Sequence, residues 1–291
     1  MNDATTAPIY HLRFGRTEAR TFAGFAELYS IALVAKSAQV HVDCSELNFC
    51  NGNLSAALAA VHARLSAVGR GLVLVNLKPA VRAVLIDSGL FGAQHQRPRS
   101  SAIPLMRFAS GESARFDLYA RKGLENKGLP RMSKGLEQQF FSGIHELFTN
   151  FEIHAQSPLG AWACGQLFPQ SGRVEMTLVD HGIGIPRKIV ERGYANSAHA
   201  AIDWAMSDAN TTRELDVPGG LGLKVLREFI QLNGGELTIA SFEGFWREAQ
   251  GRVDMRPLSH SFPGTAVTIV VNTRDTQSYL LASEIKPGDI F

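Results

Sequence analysis

The first half of the chain alternates short β-rich runs with longer amphipathic segments, and this alternation is its strongest constraint on the fold. Gln39 to Val42 predicts a short buried strand, and the alanine-rich segment from Leu54 to Val68 predicts a helix. Gly71 to Leu77 (GLVLVNL) predicts a central strand, and Pro79 to Leu90 predicts a second helix with proline in its first turn. Strand, helix, strand and helix in this order favour an α/β domain with a covered sheet.

Length and composition narrow the class of protein. The 291 residues suffice for two domains, and 45% hydrophobic with 19% charged residues is typical of a soluble globular chain. A net charge of +2 is too small to indicate a nucleic-acid partner. The chain has no apolar run of about 18 residues and no signal-peptide pattern at its start, so we expect a cytoplasmic protein without membrane contact. Cys44, Cys50 and Cys164 lack metal-type spacing, and we expect reduced thiols.

The segment VDCSELNFCNGN, Val42 to Asn53, resembles the acceptor region of the STAS domain, which is typical of anti-sigma-factor antagonists. That family has the pattern Asp-x-Ser-x-Leu-x-Phe-x-Asp-Ser-Ser-Gly before a helix. Its first four fixed positions match Asp43, Ser45, Leu47 and Phe49. The phosphorylatable serine of the family falls on Gly52, which has no hydroxyl, and the next serine falls on Asn53. The resemblance implies a STAS-like domain that phosphorylation cannot switch in the usual way, although a generic α/β domain stays an open alternative.

The connection between the halves is predicted from polar and helix-breaking residues. Ile103 to Phe108 predicts a last strand of the first domain, and Ser113 to Leu129 predicts a polar, basic helix that Gly128 and Pro130 end. We expect a STAS-like α/β domain at 1–110, a helical connector at 111–130, a second α/β domain of two-layer sandwich type at 131–275, and a tail at 276–291.

The second half opens with a predicted helix from about Ser133 that contains HELFTNFEIHA. Glu146, Asn150 and His154 follow each other at intervals of four, which places them on one helical face. A carboxamide oxygen suits Mg²⁺ that bridges phosphates, and a carboxylate one turn away can accept a proton. A solvated polar helix face remains the alternative for this motif taken alone.

Two further motifs combine glycines with a fixed polar group. In LVDHGIGIP a strand runs into Asp180, Gly182 and Gly184, where a carboxylate can accept the amine of adenine and glycines allow close approach. An ordinary strand-to-loop turn would use the same residue types. In FPGTAVTIVV, Gly264 and Thr265 precede a β-branched strand, and a simple hydroxyl at the start of a strand is the alternative.

A fourth motif, PGGLGLKVLREFIQLNGG, places a glycine cluster at the start of an amphipathic helix. Exposed N–H groups at such a start can hold phosphate. The segment matches neither the Walker A pattern nor Gly-x-Gly-x-x-Gly.

Taken in order, the four motifs resemble the GHKL (Bergerat-fold) ATP-binding domains over about residues 130–275. The resemblance implies Mg²⁺ binding by Asn150, general-base catalysis by Glu146, and an adenine contact by Asp180 supported by Thr265. It also implies an ATP lid at 187–218, whose polar composition is that of a mobile loop. The remaining residues of the implied nucleotide site are His154, Gly182, Gly184, Gly219, Gly220, Gly222 and Lys224, the last of which could equally be a solvated helical lysine.

The pattern Glu-x-x-x-Asn-x-x-x-His looks most like that of the anti-sigma serine kinases, which act on STAS partners. We therefore expect a bacterial-type signalling protein that binds ATP and Mg²⁺ and acts on a protein partner as a serine/threonine kinase or ATPase. An ATP-gated binding module with little turnover is the alternative. A histidine kinase is disfavoured, because no helical pair before the ATP domain presents an acceptor histidine. The oligomeric state stays open, with a homodimer as one option.

Overall fold

The computed structural model describes residues 8–91, 99–207 and 221–285. Within these residues, no helix combines the length and the apolar character that crossing a bilayer requires. The architecture is α/β, with one parallel and one antiparallel sheet as its two main layers of strands.

The first sheet contains three parallel strands in the order β1-β2-β3. Its elements are β1 (Ile9–His11), α1 (Ala19–Val34), β2 (Gln39–Asp43), α2 (Ser55–Ser66), β3 (Gly71–Val75) and α3 (Pro79–Asp87). The predicted alternation is confirmed, and Pro79 begins α3 as expected. The prediction of a central strand at 71–77 was wrong, because β1 pairs on the far side of β2 and leaves β3 at an edge.

The second sheet contains five antiparallel strands in the order β4-β6-β7-β9-β8. Its strands are β4 (Ala102–Phe108), β6 (Ala161–Phe168), β7 (Arg173–Asp180), β8 (Glu236–Ala249) and β9 (Arg252–Asn272). Two short strands, β5 (Arg131–Met132) and β10 (Ser278–Tyr279), pair separately. The helices of this half are α4 (Ser113–Leu124), α5 (Lys134–Asn150), α6 (Gly184–Glu191), α7 (Ala198–Met206) and α8 (Leu221–Leu232).

β4 and α4 do not occupy the places that the sequence assigned to them. We expected a strand at 103–108 in the first domain, but β4 pairs with β6 and forms an edge of the second sheet. The expected connector helix also contributes to a core, since Phe116 of α4 packs against Phe108 and stacks on Phe148 at 4.6 Å between ring centroids. β4 follows the first half in the chain but pairs in space with a strand of the second half.

The five-stranded sheet has helices on both faces. Successive residues of a strand point to opposite faces, and β7 follows this rule. Val174, Met176 and Leu178 join the core formed with α4, α5 and α8, whereas Val179 joins the core formed with α1 and α2. The first half of the chain therefore covers one face of the second sheet.

Aromatic side chains of α1 carry much of this contact. Phe22 is fully buried, and its ring lies 6.2 Å from that of Phe245 and 5.9 Å from that of Phe262, both in the second sheet. Full burial of one such side chain stabilises a fold by about 1.5–3 kcal/mol. The two halves therefore share one hydrophobic core, while a second core on the other face of the sheet is formed within residues 103–271.

Candidate functional site: the end of β7 and the helices beside it

α5 positions the first predicted motif. The helix begins at a good N-cap, since the Ser133 hydroxyl accepts a hydrogen bond from the Leu136 amide at 3.1 Å. It carries Glu146 and the half-buried Asn150, and then continues as a single π-helical turn over Phe151–Ala155. A step of four residues stays close to one full turn in a π-turn as it does in an α-helix, so the backbone of His154 stays on the same side as Asn150. The prediction that His154 shares this face stays a prediction, because its side chain lies outside the described part of the structure.

Glu146 contacts the start of α8. Its Oε2 atom accepts a hydrogen bond from the Leu223 amide at 3.0 Å. This is the position of an acidic cap at a helix N-terminus, where the helix dipole favours negative charge. In this arrangement one oxygen of Glu146 serves the backbone of α8, and the carboxylate has a second oxygen that can accept a proton.

The same two helices approach each other through glycines. A Cβ atom on Gly222 would lie 3.1 Å from the Gly143 amide nitrogen, and one on Gly143 would collide with the Gly222 carbonyl. We predicted that Gly222 shapes a phosphate pocket, and the structure gives it a packing role between α5 and α8. Two other glycines of this motif, Gly219 and Gly220, lie outside the described residues. Lys224 is exposed on α8.

Asp180 ends β7 in a buried position, with 9% of its surface exposed. Its Oδ1 atom accepts a hydrogen bond from the Gly182 amide at 2.6 Å. Burial raises the pKa of Asp180 to about 7, although backbone hydrogen bonds from Gly182 and Thr265 oppose that rise. Thr265 is the register partner of Asp180 across the sheet, so two motifs that are distant in the sequence meet here.

Ser241 of β8 completes this group, and no motif in the sequence pointed to it. Its hydroxyl lies 2.9 Å from that of Thr265 and accepts a hydrogen bond from the Ile185 amide at 3.1 Å. The residue is fully buried. Ser241 lies beside Thr265 because of the register in which β8 pairs with β9. The residue pattern of one strand does not determine which residues will face each other across two strands.

The glycines after Asp180 are required by close backbone packing. A Cβ atom on Gly182 would overlap the carbonyl of Ala155, and one on Gly264, whose φ is 119°, would overlap the carbonyl of Asp180. The Ile183 amide also donates to the Ala155 carbonyl at 2.8 Å. The segment 180–184, the Asp180 loop, is thereby fixed against the end of the π-turn and the residues before Thr265.

The segment predicted as a mobile polar lid is partly helical. α6 begins at Gly184 and α7 covers Ala198–Met206, with the Ser197 hydroxyl as N-cap of α7. The rings of Tyr194 and Trp204 stack with 4.9 Å between their centroids. Up to residue 207 this segment therefore contains helices where its polar composition indicated a loop, and the rest of the segment lies outside the described residues.

The loop of the first half that aligns with the STAS acceptor region is buried against the second sheet. We call residues 51–54 the docked loop. The Gly52 amide donates to Gln166 Oε1 at 2.6 Å, and a Cβ atom on Gly52 would lie only 2.7 Å from that oxygen. The Asn53 side chain donates to the Thr177 hydroxyl at 2.8 Å. The acceptor position is therefore closed to any enzyme that would modify it.

Glu175 of β7 holds the other end of the docked loop. Its Oε2 atom accepts hydrogen bonds from Asn51 at 2.8 Å and from Thr17 at 2.7 Å, and Arg173 pairs with Oε1 at 2.9 Å. Burial raises the pKa of Glu175, and these partners lower it in part. A carboxylate with 1% exposure needs such partners to stay buried. Sequence patterns could not indicate this network, because its members come from both halves.

A cavity of about 440 Å³ lies away from this group of residues, along β1 and α1. Residues such as Tyr10, Thr21 and Ser259 line it, and none of the residues predicted to bind nucleotide does. No group of three or more His, Cys, Asp or Glu side chains forms a metal cluster in the parts of the chain that the structure describes. A magnesium ion at Asn150 would therefore depend on phosphate and water for most of its ligands.

Comparison with known families identifies one domain of this α/β protein. Residues 14–92 match the family model described as STAS_2, Mlab, STAS domain, so the first part of the chain contains a STAS domain. The match begins within the first half and ends before β4, so it leaves the second sheet and the predicted nucleotide residues uncovered. No curated protein matches the chain. A STAS domain indicates a signalling role and a protein partner.

Proposed function

We propose that the second half of the chain binds ATP with Mg²⁺ in the manner of the GHKL domains. One observation carries the proposal: the four sequence motifs meet at one end of α5. Glu146 contacts the start of α8, the π-turn contacts the Asp180 loop, and Asp180 pairs in register with Thr265. Motifs that resembled a nucleotide site only by chance would not be expected to lie beside one another in the structure.

Asp180 is the group that would recognise the base. A buried carboxylate is costly, because burial disfavours its charged form, and its partners here are backbone N–H groups. Such a perturbed carboxylate is a candidate functional group. We assign it the exocyclic amine of adenine, with Thr265 and Ser241 setting its surroundings.

The phosphates would lie between α5 and the start of α8. Asn150 would supply a neutral oxygen to Mg²⁺, which neutralises charge on the phosphates when bound. Gly219, Gly220, Gly222 and Lys224 belong to the same proposed region. Glu146 stands beside the start of α8, within reach of a terminal phosphate placed there.

Two functions are consistent with this site. The first is phosphoryl transfer to a protein serine or threonine, or ATP hydrolysis, in a cytoplasmic signalling protein. The acceptor would be another protein, because the docked loop of this chain is buried and lacks the hydroxyl. The second is an ATP-gated binding module, which is favoured by the use of Glu146 as a helix cap.

The proposal is tested by calorimetric titration with ATP in the presence and absence of Mg²⁺. We expect Mg²⁺-dependent binding by the parent and a loss of ten- to hundredfold in affinity for Asp180→Asn, since a buried charged acceptor contributes about 1.5–3 kcal/mol. Asp254→Asn, which alters a partly exposed aspartate of β9, is the matched control and should bind within about twofold of the parent. No binding by the folded parent, or equal binding by Asp180→Asn, would exclude the proposed site.

A further inference from the structure

His181, which follows Asp180 directly, is a buried histidine with 4% of its surface exposed. Its Nδ1 atom lies 2.8 Å from the Pro263 carbonyl oxygen. A carbonyl oxygen only accepts, so Nδ1 carries a proton and donates it. The ring also packs edge-on against Trp162 at 5.1 Å, and the backbone amide donates to the Ser157 hydroxyl at 3.2 Å.

The contact with Pro263 connects the two segments that form the proposed adenine site. Pro263 precedes Gly264, whose backbone packs against the Asp180 carbonyl, and Gly264 precedes Thr265. The imidazole thus joins the Asp180 loop to residues 263–265. The relative position of Asp180 and Thr265 depends on this link as well as on the strand pairing.

α2 of the STAS domain packs against β6 and β7, which are the strand of Trp162 and the strand that leads into His181. Burial lowers the pKa of His181, the carbonyls of Pro263 and Ala60 raise it in part, and Arg64 lowers it further. Ala60 and Arg64 belong to α2, which follows the docked loop. The Nε2 atom is buried, and the Ala60 carbonyl of α2 is near enough to raise the pKa of His181 without completing a hydrogen bond of good geometry.

We propose that His181 is a positioning residue that couples α2 of the STAS domain to the candidate nucleotide site. Its Nδ1 side fixes the Asp180 loop to residues 263–265, and its Nε2 side rests on α2. Movement of α2 or of the docked loop is thereby transmitted to Asp180 through one side chain. This inference rests on the proposed function for its consequence, but its geometry stands without bound nucleotide.

Two substitutions of His181 distinguish the role of its Nδ1 atom from the role of the Nε2 side of the ring. His181→Asn keeps an N–H group near the Nδ1 position and removes the part of the ring that reaches α2. His181→Phe keeps an aromatic ring against Trp162 and removes both nitrogens. His62→Asn, at an exposed histidine of α2, is the control and should behave as the parent does.

The measurement is amide hydrogen exchange of the full chain without nucleotide, followed by titration with ATP and Mg²⁺. We expect His181→Phe to exchange at least about tenfold faster in residues 180–184, 263–266 and 55–66, and to bind ATP about tenfold more weakly. His181→Asn should restore slow exchange in the first two segments and ATP affinity to within about threefold, while α2 still exchanges faster. A purely structural packing role would not give this split, because Asn loses the ring and Phe keeps it.

The outcomes separate this inference from the proposed function. Unchanged exchange in His181→Phe, or equal effects of Phe and Asn in all three segments, would overturn the coupling even if the parent binds ATP. If the exchange pattern is as expected and the parent does not bind ATP, the coupling stands and the nucleotide proposal fails.

Discussion

At the scale of single residues, Asp180 shows the sharpest conflict between burial and charge. Its pKa is about 7 in the folded protein, compared with an ordinary value of 3.8 for an aspartate side chain. The folded protein therefore holds this proton more tightly than the unfolded chain between these two pH values. The contribution of Asp180 to the free energy of unfolding is fully present below pH 3.8 and is lost as pH rises through about 7.

We predict that Asp180→Asn removes this pH dependence. The difference in free energy of unfolding between variant and parent should shift in favour of the variant by on the order of 2 kcal/mol from about pH 4 to about pH 8. Urea unfolding at several pH values measures it, with Asp254→Asn as control. Parallel curves for parent and variant would show that Asp180 does not titrate abnormally.

Gly52 leads to a second prediction at this scale. A side chain there meets Gln166 in a buried contact, so Gly52→Ser should lower the free energy of unfolding by about 1–3 kcal/mol. Gly71→Ser is the control, since a Cβ atom at Gly71 has its closest neighbour at 3.7 Å. Despite its new hydroxyl, the Gly52→Ser variant should stay unphosphorylated when incubated with ATP, which peptide mass mapping can check. Stoichiometric phosphate on the introduced serine would mean that the docked loop opens.

The pattern of nearby residues in the sequence was sufficient to predict those residues whose positions depend only on the local strand or helix. Asp180 with its glycines lies at a strand end as expected, and Asn150 and Glu146 lie on the predicted helix. Ser241, Glu175 and His181 could not be found in this way. Their roles arise from strand register and from packing between the halves, and a single sequence records neither.

At the scale of elements, α5 and α8 form the pair on which the proposed catalysis depends. They meet at Gly143 and Gly222, and Glu146 ties the start of α8 to α5. The sequence indicated both helices and their motifs but not this contact. It also missed β1 and α1, because β1 has three residues and α1 begins without a side-chain cap.

The substitution Glu146→Gln separates the role of Glu146 as a helix cap from its proposed role as a general base. The amide oxygen of Gln can still accept from Leu223, so we expect ATP affinity within about threefold of the parent. Because Gln is not basic, turnover should fall at least about a hundredfold. A sensitive phosphate-release or phosphotransfer assay, paired with titration, measures both. Equal turnover in parent and variant would exclude Glu146 as the base, and no turnover in the parent with any protein partner would favour the gated module.

At the scale of the whole molecule, the STAS domain packs along one face of the second sheet. Phe22 of α1 lies between Phe245 and Phe262, and the docked loop bonds to β6 and β7. The family match marks a boundary near residue 92 in sequence, but the hydrophobic core crosses it. The STAS domain is therefore in direct contact with the second half, both through the shared core and through the docked loop.

We predict that the halves unfold together. Phe22→Ala should lower the free energy of unfolding by about 3–5 kcal/mol and keep a single transition, because it removes packing from both halves at once. Phe91→Ala, at a ring with 41% exposure, is the control and should cost far less. Near- and far-ultraviolet circular dichroism during denaturation would report the transition. Two separate transitions in the parent, with only one shifted by Phe22→Ala, would contradict a shared core.

The central claim is that adenine lies beside Asp180 and Thr265. Photolabelling with an azido-adenine analogue of ATP, followed by peptide mapping, tests it most directly. We predict label in the segments 178–186 and 262–267, which ATP with Mg²⁺ removes by competition and which Asp180→Asn reduces at least about tenfold. Label concentrated along β1 and α1, in the cavity near Tyr10 and Thr21, or label that ATP does not compete, would contradict the account.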